Sequence, residues 1–379
     1  MHVAYLTPEY PHPFCPASGG LGTSIKNMAE ALSIQGVQVS VIIYGQKEDR
    51  NFHEAGIDFY FIEQKAFFIG GWFFYRKKLQ KTISKIIRSK RIDLIEAPDW
   101  TGITAFMRFS IPVVIRLNGT DAYFCALDNR KQKLKNRMFE RLALKNADEI
   151  IAVSEFTGRK TMEVLSLKRN YTVIPNSIRT DDFLPSDKGK LSNTILYFGT
   201  IIRKKGVLEL AQIFNYTVNI YEDANLLMVG RDVEDIFEKR STLELFKELL
   251  SEKALMNFQY IGALEYKLIK EKIEQAGVVV LPSFAEALPM TWLESMAMEK
   301  ALITSNIGWA PEVMIDGETG FTVNPKDHSM YAAKIITLLE NRQLAETMGK
   351  TARRRVIEKF SVEKVVNQNL EFYSKLIHN

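Results

Sequence analysis

Short apolar runs alternate with longer amphipathic segments along the whole chain of 379 residues. In the first half the apolar runs are rich in Val, Ile and Tyr, which is typical of buried strands. These runs are Val3–Leu6, Val37–Tyr44, Ile92–Glu96, Pro112–Leu117, Glu149–Val153 and Tyr171–Ile174. Comparable runs in the second half are Thr194–Phe198, Leu226–Val229, Phe258–Ile261, Val278–Leu281 and Ala301–Thr304. Strands that alternate with helical segments predict parallel βαβ units, and therefore an α/β fold.

Helical patterns fill the spaces between these runs. Leu21–Gln35 is followed by Gly36, a residue suited to ending a helix. Three long helical patterns close the chain, at Asp327–Glu340, Arg342–Lys359 and Val362–Ile377.

The length of the chain favours two domains over one. The polar stretch Pro185–Lys190 precedes a fresh strand, as a linker should. We therefore predict one Rossmann-like domain over residues 1–185 and a second over residues 186–360. Two doubly wound domains that face each other across a cleft would bind ligands at the carboxyl ends of their strands.

Composition excludes several classes of protein. Apolar residues make up 46% of the chain and charged residues 25%, as in ordinary globular proteins. The two cysteines do not support a disulfide framework, and the five histidines are scattered. No Asp-x-Asp pair occurs, so we expect no bound metal and no cofactor. The chain opens on a strand pattern rather than a signal peptide, and its longest apolar run, Ala66–Tyr75, is too short to span a bilayer, so we expect a cytoplasmic protein.

Positive charge is concentrated in the first half. Residues 1–185 carry 26 Lys and Arg against 19 Asp and Glu, whereas the remainder carries 24 against 26. An aromatic run, Phe67–Tyr75, precedes a basic segment without any acid between Glu63 and Asp93. Its cations are Arg76, Lys77, Lys78, Lys81, Lys85, Arg88, Lys90 and Arg91. This pattern indicates contact with an anionic membrane surface at the inner face of a membrane, or else aromatic residues that pack in the core beside a solvated helix. We expect no nucleic acid partner.

A glycine-rich loop, Gly19-Gly20-Leu21-Gly22, follows the first strand and opens a helix. Clustered glycines let backbone N–H groups approach a phosphate, although such a loop can also be purely structural. A dinucleotide fingerprint needs its glycines directly after the strand, and here the intervening loop from Thr7 to Ser18 is long. NAD binding is therefore not predicted.

A strand, a loop and a helix follow one another over Leu281–Glu294. Glu286 lies in the loop and Glu294 about one turn inside the helix, which begins near Pro289. The free amides at the start of such a helix, at Leu288, Met290 and Thr291, would point at an anion. Carboxylates on both sides of a phosphate site suit a ligand with hydroxyls at both ends, although a solvated helix face would show the same spacing.

The first strand of the second half is followed by Gly199-Thr200-Ile-Ile-Arg203-Lys204-Lys205-Gly206. Three adjacent cations before a helix could neutralise a diphosphate, and a basic surface turn is the alternative.

Several further pieces complete a pattern that covers nearly the whole chain. The pieces are Gly19–Gly22, Ala147–Glu155, Val173–Asn176, Gly199–Gly206, Glu286–Glu294, Gly308–Glu312 and Asp316–Gly320. In order and spacing this set resembles the family 4 retaining glycosyltransferases of the GT-B fold. The resemblance implies an N-terminal acceptor domain, a C-terminal nucleotide-sugar donor domain, and a last helix, over residues 361–379, that packs back on the N-terminal domain.

The resemblance also implies roles for single residues. Glu294 would bind the donor ribose, Glu286 the donor sugar, and Lys205 with Arg203 the diphosphate. The Gly19–Gly22 loop would close over the phosphates from the other domain. The predicted catalytic residues are Arg203, Lys205, Glu286 and Asn118. The predicted donor-binding residues are Gly19, Gly20, Gly22, Leu288, Met290, Thr291, Glu294, Arg231 and Glu312.

Three positions depart from the pattern of the family. Thr200 stands where the family usually has Arg, so either Arg203 supplies the missing charge or phosphate binding is weaker. Asn118 stands in place of a usual His, and it can hydrogen-bond a sugar hydroxyl but cannot act as an imidazole. Ser177 stands where the family favours Gly.

The expected reaction is transfer of a hexose-type unit, with retention, from a UDP- or GDP-sugar to a hydroxyl of a glycan or lipid-linked acceptor in surface polysaccharide or glycolipid assembly. A sugar-nucleotide epimerase or a phosphorylase on the same fold is an alternative, because fold alone does not fix chemistry. A non-catalytic sugar-nucleotide sensor is another. Release of free nucleoside diphosphate in the presence of an acceptor would separate transferase from sensor.

Overall fold

The computed structural model describes residues 1–15, 18–66, 70–185 and 191–378. Residues 67–69 of the predicted aromatic run and residues 186–190 of the predicted linker lie outside the described residues. The chain forms two compact units: Met1–Arg179 together with Phe360–Asn379, and Thr180–Lys359. These bounds differ by a few residues from the division at residues 185 and 361 that the sequence suggests.

The first unit is built on an eight-stranded sheet in the order β3-β4-β2-β1-β5-β6-β7-β8. Its strands are β1 His2–Thr7, β2 Gln38–Gln46, β3 Arg50–Glu54, β4 Ile57–Glu63, β5 Leu94–Pro98, β6 Val113–Leu117, β7 Glu149–Ala152 and β8 Thr172–Val173. All neighbours pair in parallel except β3, which runs antiparallel to β4 at the edge of the sheet.

Helices cover both faces of this sheet. They are α1 Gly20–Ile34, α2 Gly71–Lys90, α3 Asp121–Leu127, α4 Leu134–Asn146, α5 Glu155–Leu165 and α14 Val362–His378. Alternate residues of β1 face opposite layers: Val3 and Tyr5 pack in one core with α1 and α14, and Ala4 and Leu6 pack in another with α2. Burial on both faces explains why the strand is apolar throughout, as is usual in parallel sheets.

The second unit is built on a six-stranded parallel sheet in the order β11-β10-β9-β12-β13-β14. Its strands are β9 Leu191–Phe198, β10 Asn225–Val229, β11 Phe258–Tyr260, β12 Ala276–Leu281, β13 Leu302–Ser305 and β14 Phe321–Val323. Its helices are α6 Val207–Ile220, α7 Thr242–Glu248, α8 Glu252–Met256, α9 Tyr266–Gln275, α10 Met290–Ala297, α11 Ala310–Val313, α12 His328–Glu340 and α13 Arg342–Phe360. A doubly wound unit of this kind was predicted for each half of the chain, and the fold class is confirmed.

A buried polar network joins the last helix to the sheet of the first unit. Arg116 on β6 forms a bidentate pair with Glu96 on β5, at 2.7 and 3.0 Å. The Tyr373 hydroxyl on α14 donates to Oε2 of Glu96 at 2.6 Å, and Arg116 also donates to the side-chain oxygen of Asn369. The packing of the last helix on the N-terminal unit therefore rests on these paired charges as well as on apolar contacts. Within the described residues, no helix combines the length and the apolar character that crossing a membrane requires.

Candidate active site

The order of strands in the second unit locates a ligand site. In this sheet β9 lies between β10 and β12. The connection that follows β9 therefore runs toward one edge of the sheet, and the connection that follows β12 runs toward the other. Ligands of doubly wound sheets bind at such a switch point, outside the carboxyl ends of the two strands. The two charged motifs of the second half begin there, directly after Phe198 and Leu281.

The loops that follow β9 and β12 are hydrogen-bonded to each other. The Phe284 amide donates to the Lys204 carbonyl at 2.8 Å. Gly206 ends the 3₁₀ turn Arg203–Lys205 with φ +71°, and a Cβ at this position would lie 1.9 Å from the Pro282 carbonyl oxygen. Only glycine permits this approach, so the loop that carries Lys205 and the loop that carries Glu286 are positioned together.

Lys205 and Glu286 form an ion pair across these loops. Nζ of Lys205 lies 3.0 Å from Oε1 of Glu286, and the two side chains are 20% and 15% exposed. The Ser283 hydroxyl donates to the same carboxylate oxygen at 3.0 Å. A Cβ at Gly199 would lie 3.7 Å from Nζ of Lys205, so the ammonium sits against the backbone at the end of β9.

Glu294 lies one turn inside α10 and is 6% exposed. Its Oε1 accepts a hydrogen bond of 2.7 Å from the Tyr266 hydroxyl. Burial raises the pKa of Glu294, and the Tyr266 hydrogen bond and the charges of Lys205 and Lys270 oppose that rise. The predicted second carboxylate therefore occupies a sheltered position near Lys205.

The N-terminus of α10 follows the loop that carries Glu286. Pro289 is the N-cap, and none of the described side chains caps the helix with a hydrogen bond. Met290 and Thr291 open the helix, and amides in a first turn have no partner within the helix. Leu288, the remaining predicted amide, lies in the loop just before and its side chain is buried.

Arg203 is held in a different arrangement from Lys205. Its guanidinium donates two hydrogen bonds to Asp235, at 2.7 and 3.1 Å, and Asp235 is fully buried. It also lies over the ring of Phe237. Although the sequence groups Arg203 with Lys205, the structure pairs the first with Asp235 and the second with Glu286.

The two remaining predicted donor residues of this unit are placed through their backbones. The Arg231 carbonyl accepts a hydrogen bond from the Ile201 amide at 2.9 Å, which places Arg231 beside the loop after β9 with an exposed side chain. The Glu312 carbonyl accepts from Arg355 and Lys359 of α13, each at 3.1 Å.

The glycine-rich loop of the first unit binds a carboxylate of the chain itself. Oε1 of Glu9 accepts hydrogen bonds from the Gly19 amide at 3.0 Å and from the Gly22 amide at 2.9 Å. Gly20 is the first residue of α1, and Gly19 is its N-cap. The amides predicted to contact phosphate thus present an anion site at a helix N-terminus, and Glu9 occupies it.

Asn118 lines a cavity of the first unit at the carboxyl ends of β1, β5 and β6. Its side-chain oxygen lies 3.4 Å from Nδ2 of Asn176, whose own Oδ1 accepts from Ser24 at 2.9 Å. Glu96 and Arg116 line the same cavity. The Asn118 side chain therefore contacts the amide group of Asn176, and its own Nδ2 lies 3.5 Å from the Arg116 carbonyl.

Three residues of these sites are not among those predicted from the sequence. Glu9 comes two residues after β1, and an acid so close to a strand end before a glycine loop is a signal that was present. Asp235 and Tyr266 gave no signal, because their partners Arg203 and Glu294 are distant in sequence and meet them only through the fold.

Comparison with known proteins places this geometry in a family. A model described as Glycosyltransferase Family 4 matches residues 18–182, and a model described as Glycosyl transferases group 1 matches residues 179–355. An uncharacterized glycosyltransferase of Methanocaldococcus jannaschii is 25% identical over 374 residues, which is 97% of each chain. The capsular polysaccharide biosynthesis glycosyltransferase CapM of Staphylococcus aureus is 29% identical over 251 residues, or 62% of this chain and 63% of that protein.

A solved structure supports the same assignment at the level of the fold. The Anabaena protein HepE in complex with UDP-glucose has a TM-score of 0.76 and 17% identity, and the match covers 99% of this chain and 100% of that one. The two family models together span both units of the chain. The chain therefore belongs to the family 4 glycosyltransferases and has the GT-B fold.

Proposed function

We propose that this protein transfers a hexose-type unit from a nucleoside diphosphate sugar, UDP- or GDP-linked, to an acceptor hydroxyl with retention at the anomeric carbon. The observation that carries the proposal is the Lys205 ammonium, held 3.0 Å from Glu286 and against Gly199 at the switch point of the second unit. A cation, a helix N-terminus and two carboxylates there suit a diphosphate with a sugar at each end.

Each group has a chemical task in the proposed reaction. The bond between the anomeric carbon and the phosphate oxygen breaks, and the acceptor oxygen bonds to the same face of that carbon. The acceptor proton passes to the leaving phosphate. Lys205 and the amides at Met290 and Thr291 stabilise the negative charge that grows on the diphosphate. Glu286 accepts hydrogen bonds from the sugar, and Asn118 hydrogen-bonds a sugar hydroxyl.

Arg231, rather than Arg203, is the better second cation for the diphosphate. The guanidinium of Arg203 is committed to the buried carboxylate of Asp235. The Arg231 side chain is exposed, and its backbone is hydrogen-bonded to the loop after β9. Arg231 thus compensates for Thr200, where the family usually has a cation.

The donor class is supported by what is known of a structural neighbour. The Anabaena structure holds UDP-glucose. A thermal-shift panel of UDP-, GDP- and ADP-sugars would identify the base and the sugar, since ligand at about a hundred times its Kd adds roughly 2.7 kcal/mol of stability. The anomeric configuration of the product, read by NMR, then tests retention. An inverted product, or interconversion of donor sugars without acceptor, would replace this proposal by another reaction.

We propose further that donor binding needs no divalent metal. The chain lacks an Asp-x-Asp pair, and the described residues contain no cluster of three or more His, Cys, Asp or Glu side chains that could hold an ion. Cationic side chains and helix amides take the place of a metal at the diphosphate. Turnover with excess chelator tests this, and a loss of activity that Mn²⁺ or Mg²⁺ restores would contradict it.

The acceptor, in our proposal, is a glycan or a lipid-linked sugar at the inner face of a membrane. CapM, a relative, takes part in capsular polysaccharide biosynthesis. On α2 the exposed residues Phe74, Lys77, Lys81, Lys85 and Arg88 recur at helical spacing and form one stripe. Aromatic and basic groups on one helix face suit an anionic lipid surface.

Not every residue of the predicted basic segment belongs to this stripe. Arg76 is buried and donates hydrogen bonds to the carbonyls of Trp72, Thr101 and Gly102. Tyr75 is also buried, and its hydroxyl accepts from the Gly45 amide. These two residues therefore support the fold of the first unit, and the proposed lipid contact rests on the exposed stripe.

Sedimentation with anionic liposomes at low and high salt tests the membrane contact. The charge-reversal pair Lys81→Glu with Lys85→Glu should weaken binding about tenfold or more, because each basic residue near the surface contributes about 1 kcal/mol. The matched control is Lys364→Glu with Lys375→Glu on α14 of the same unit. Absence of binding at low salt, or equal effects of the two pairs, would contradict the contact.

A further inference from the structure

A tyrosine holds the buried carboxylate that we assign to the ribose. The Tyr266 hydroxyl donates to Oε1 of Glu294 at 2.7 Å. Glu294 is 6% exposed, whereas Tyr266 is 43% exposed. The tyrosine therefore reaches from the surface of the second unit to a sheltered carboxylate beside the diphosphate site.

The position of Tyr266 is itself fixed by its neighbours. Tyr266 is the first residue of α9, and its ring lies edge-on to Phe183 with centroids 5.8 Å apart and planes at 87°. Nζ of Lys270, one turn further along α9, lies 4.7 Å from the Phe183 centroid and 5.6 Å from that of Tyr266. Edge-on rings and cation–π contacts of this kind favour one orientation of the tyrosine ring.

The contact with Tyr266 involves only one of the two carboxylate oxygens of Glu294. An ionised carboxylate has two acceptor oxygens, and Tyr266 occupies one of them. In the described part of the chain, Tyr266 is the only residue that donates a hydrogen bond to the side-chain carboxylate of Glu294. Oε2 is therefore left for a ligand, and the contact at Oε1 fixes the direction in which Oε2 points.

We propose that Tyr266 is a positioning residue of the nucleoside subsite, where its hydroxyl orients Glu294 to accept hydrogen bonds from ribose hydroxyls and so to favour ribose over deoxyribose. The inference rests on the proposed function, since it takes the ligand to be a nucleoside diphosphate. Functional groups whose rotamers are locked by a supporting hydrogen bond bind more selectively than mobile ones. The tyrosine then acts through Glu294 and contributes to selectivity without touching the reacting carbon.

Calorimetric titration of the purified full chain tests this. The probes are UDP and GDP with their 2′-deoxy and 3′-deoxy counterparts, and the measured quantity is the Kd ratio of deoxy to ribo ligand. The variants are Tyr266→Phe, Glu294→Gln and the double variant, with melting curves as a check on folding. Tyr216→Phe on α6 is the matched control, because Tyr216 is likewise exposed, at 48%.

We expect a ratio of about ten or more for at least one deoxy ligand in the parent, and a fall of about 3- to 10-fold in Tyr266→Phe. The double variant should lose little beyond Glu294→Gln alone, because the two residues act through one contact. Tyr216→Phe should leave the ratio unchanged.

Two results for Tyr266→Phe would overturn the inference. The first is an unchanged ratio. The second is tighter binding of the ribonucleotide, which would mean that the tyrosine hydroxyl competes with the ribose. If the parent chain itself binds neither UDP nor GDP, the proposed donor class fails and this inference fails with it. That failure is distinguishable because it appears in the unmodified protein.

Discussion

Lys205 and Glu286 join the two strands of the switch point through a single ion pair of 3.0 Å. The lysine follows β9 and the glutamate follows β12, and these strands are neighbours in the sheet. The pairing with Glu286 orders the Lys205 side chain in the free protein. Under the proposed function, the entropy cost of ordering this side chain would therefore already be met before the donor binds.

Replacement of Lys205 by alanine should lower kcat and kcat/KM together, by about 10- to 150-fold. The reason is that the charge on the diphosphate grows as the sugar leaves, so the lysine contributes more in the transition state than in the ground state. Steady-state kinetics with a saturating acceptor measure both constants. Lys350→Ala, an exposed lysine on α13 of the same unit, is the matched control. Effects within about twofold for Lys205→Ala would show the diphosphate assignment to be wrong.

Glu294→Gln should mainly raise the donor KM, by about tenfold, because the ribose does not change during the reaction. Burial raises the pKa of Glu294 above its ordinary 4.5. In the parent, the donor KM should therefore increase as the pH falls toward this raised pKa, since the protonated acid accepts hydrogen bonds poorly. In Glu294→Gln the donor KM should stay high and depend little on pH. Parallel pH profiles for the two proteins would contradict the assignment.

Most strands could be predicted from the sequence because a parallel sheet is buried on both faces, so its strands are continuous apolar runs. The strand β12, predicted at Val278–Leu281, runs from Ala276 to Leu281 and is almost wholly buried. The missed strand β3 is largely exposed and carries charged ends, so no apolar pattern marks it. Its partner β4, also absent from the predicted strands, buries Ile57, Phe59 and Phe61 in alternation, and this period-two pattern is typical of a half-buried strand.

Only those residues of the candidate site that belong to a local sequence motif could be predicted. Lys205, Glu286 and Glu294 come together because their motifs follow β9 and β12, which are neighbours in the sheet. The sequence indicates the motifs, and the structure supplies the order of the strands. The pairing of Arg203 with Asp235 joins residues 32 positions apart in the chain, and no local pattern indicates it. Long-range polar contacts of this kind depend on the packed fold, so the sequence could group Arg203 with Lys205 although their side chains have different partners.

Glu9→Ala should destabilise the first unit by about 1 kcal/mol, because Glu9 accepts hydrogen bonds from the amides of Gly19 and Gly22 at the start of α1. For a unit of this size that change lowers the Tm by about 2–4 °C. Scanning calorimetry of the parent, Glu9→Ala and Glu9→Gln measures it. The glutamine keeps an acceptor oxygen and should retain most of the stability. Equal melting temperatures for all three proteins would mean that Glu9 does not support the loop.

The buried pair of Arg116 and Glu96 gives the sharpest stability prediction. The two side chains form a bidentate pair at 2.7 and 3.0 Å, and both residues are buried. Arg116→Met would leave Glu96 charged without a cation inside the first unit, which typically costs about 3–5 kcal/mol. The double variant Arg116→Met with Glu96→Leu removes both charges and should recover much of that loss. Urea unfolding of the parent and the two variants measures these differences.

The double variant separates the charge of Glu96 from the other contributions of Arg116. Arg116→Met removes the cation but leaves a carboxylate inside the first unit, whereas the double variant leaves neither charge of the pair. The double variant should therefore be more stable than Arg116→Met, although it departs from the parent at one more position. A double variant as unstable as the single one would show that Arg116 contributes through packing and its hydrogen bond to the Ile174 carbonyl rather than through the charge of Glu96.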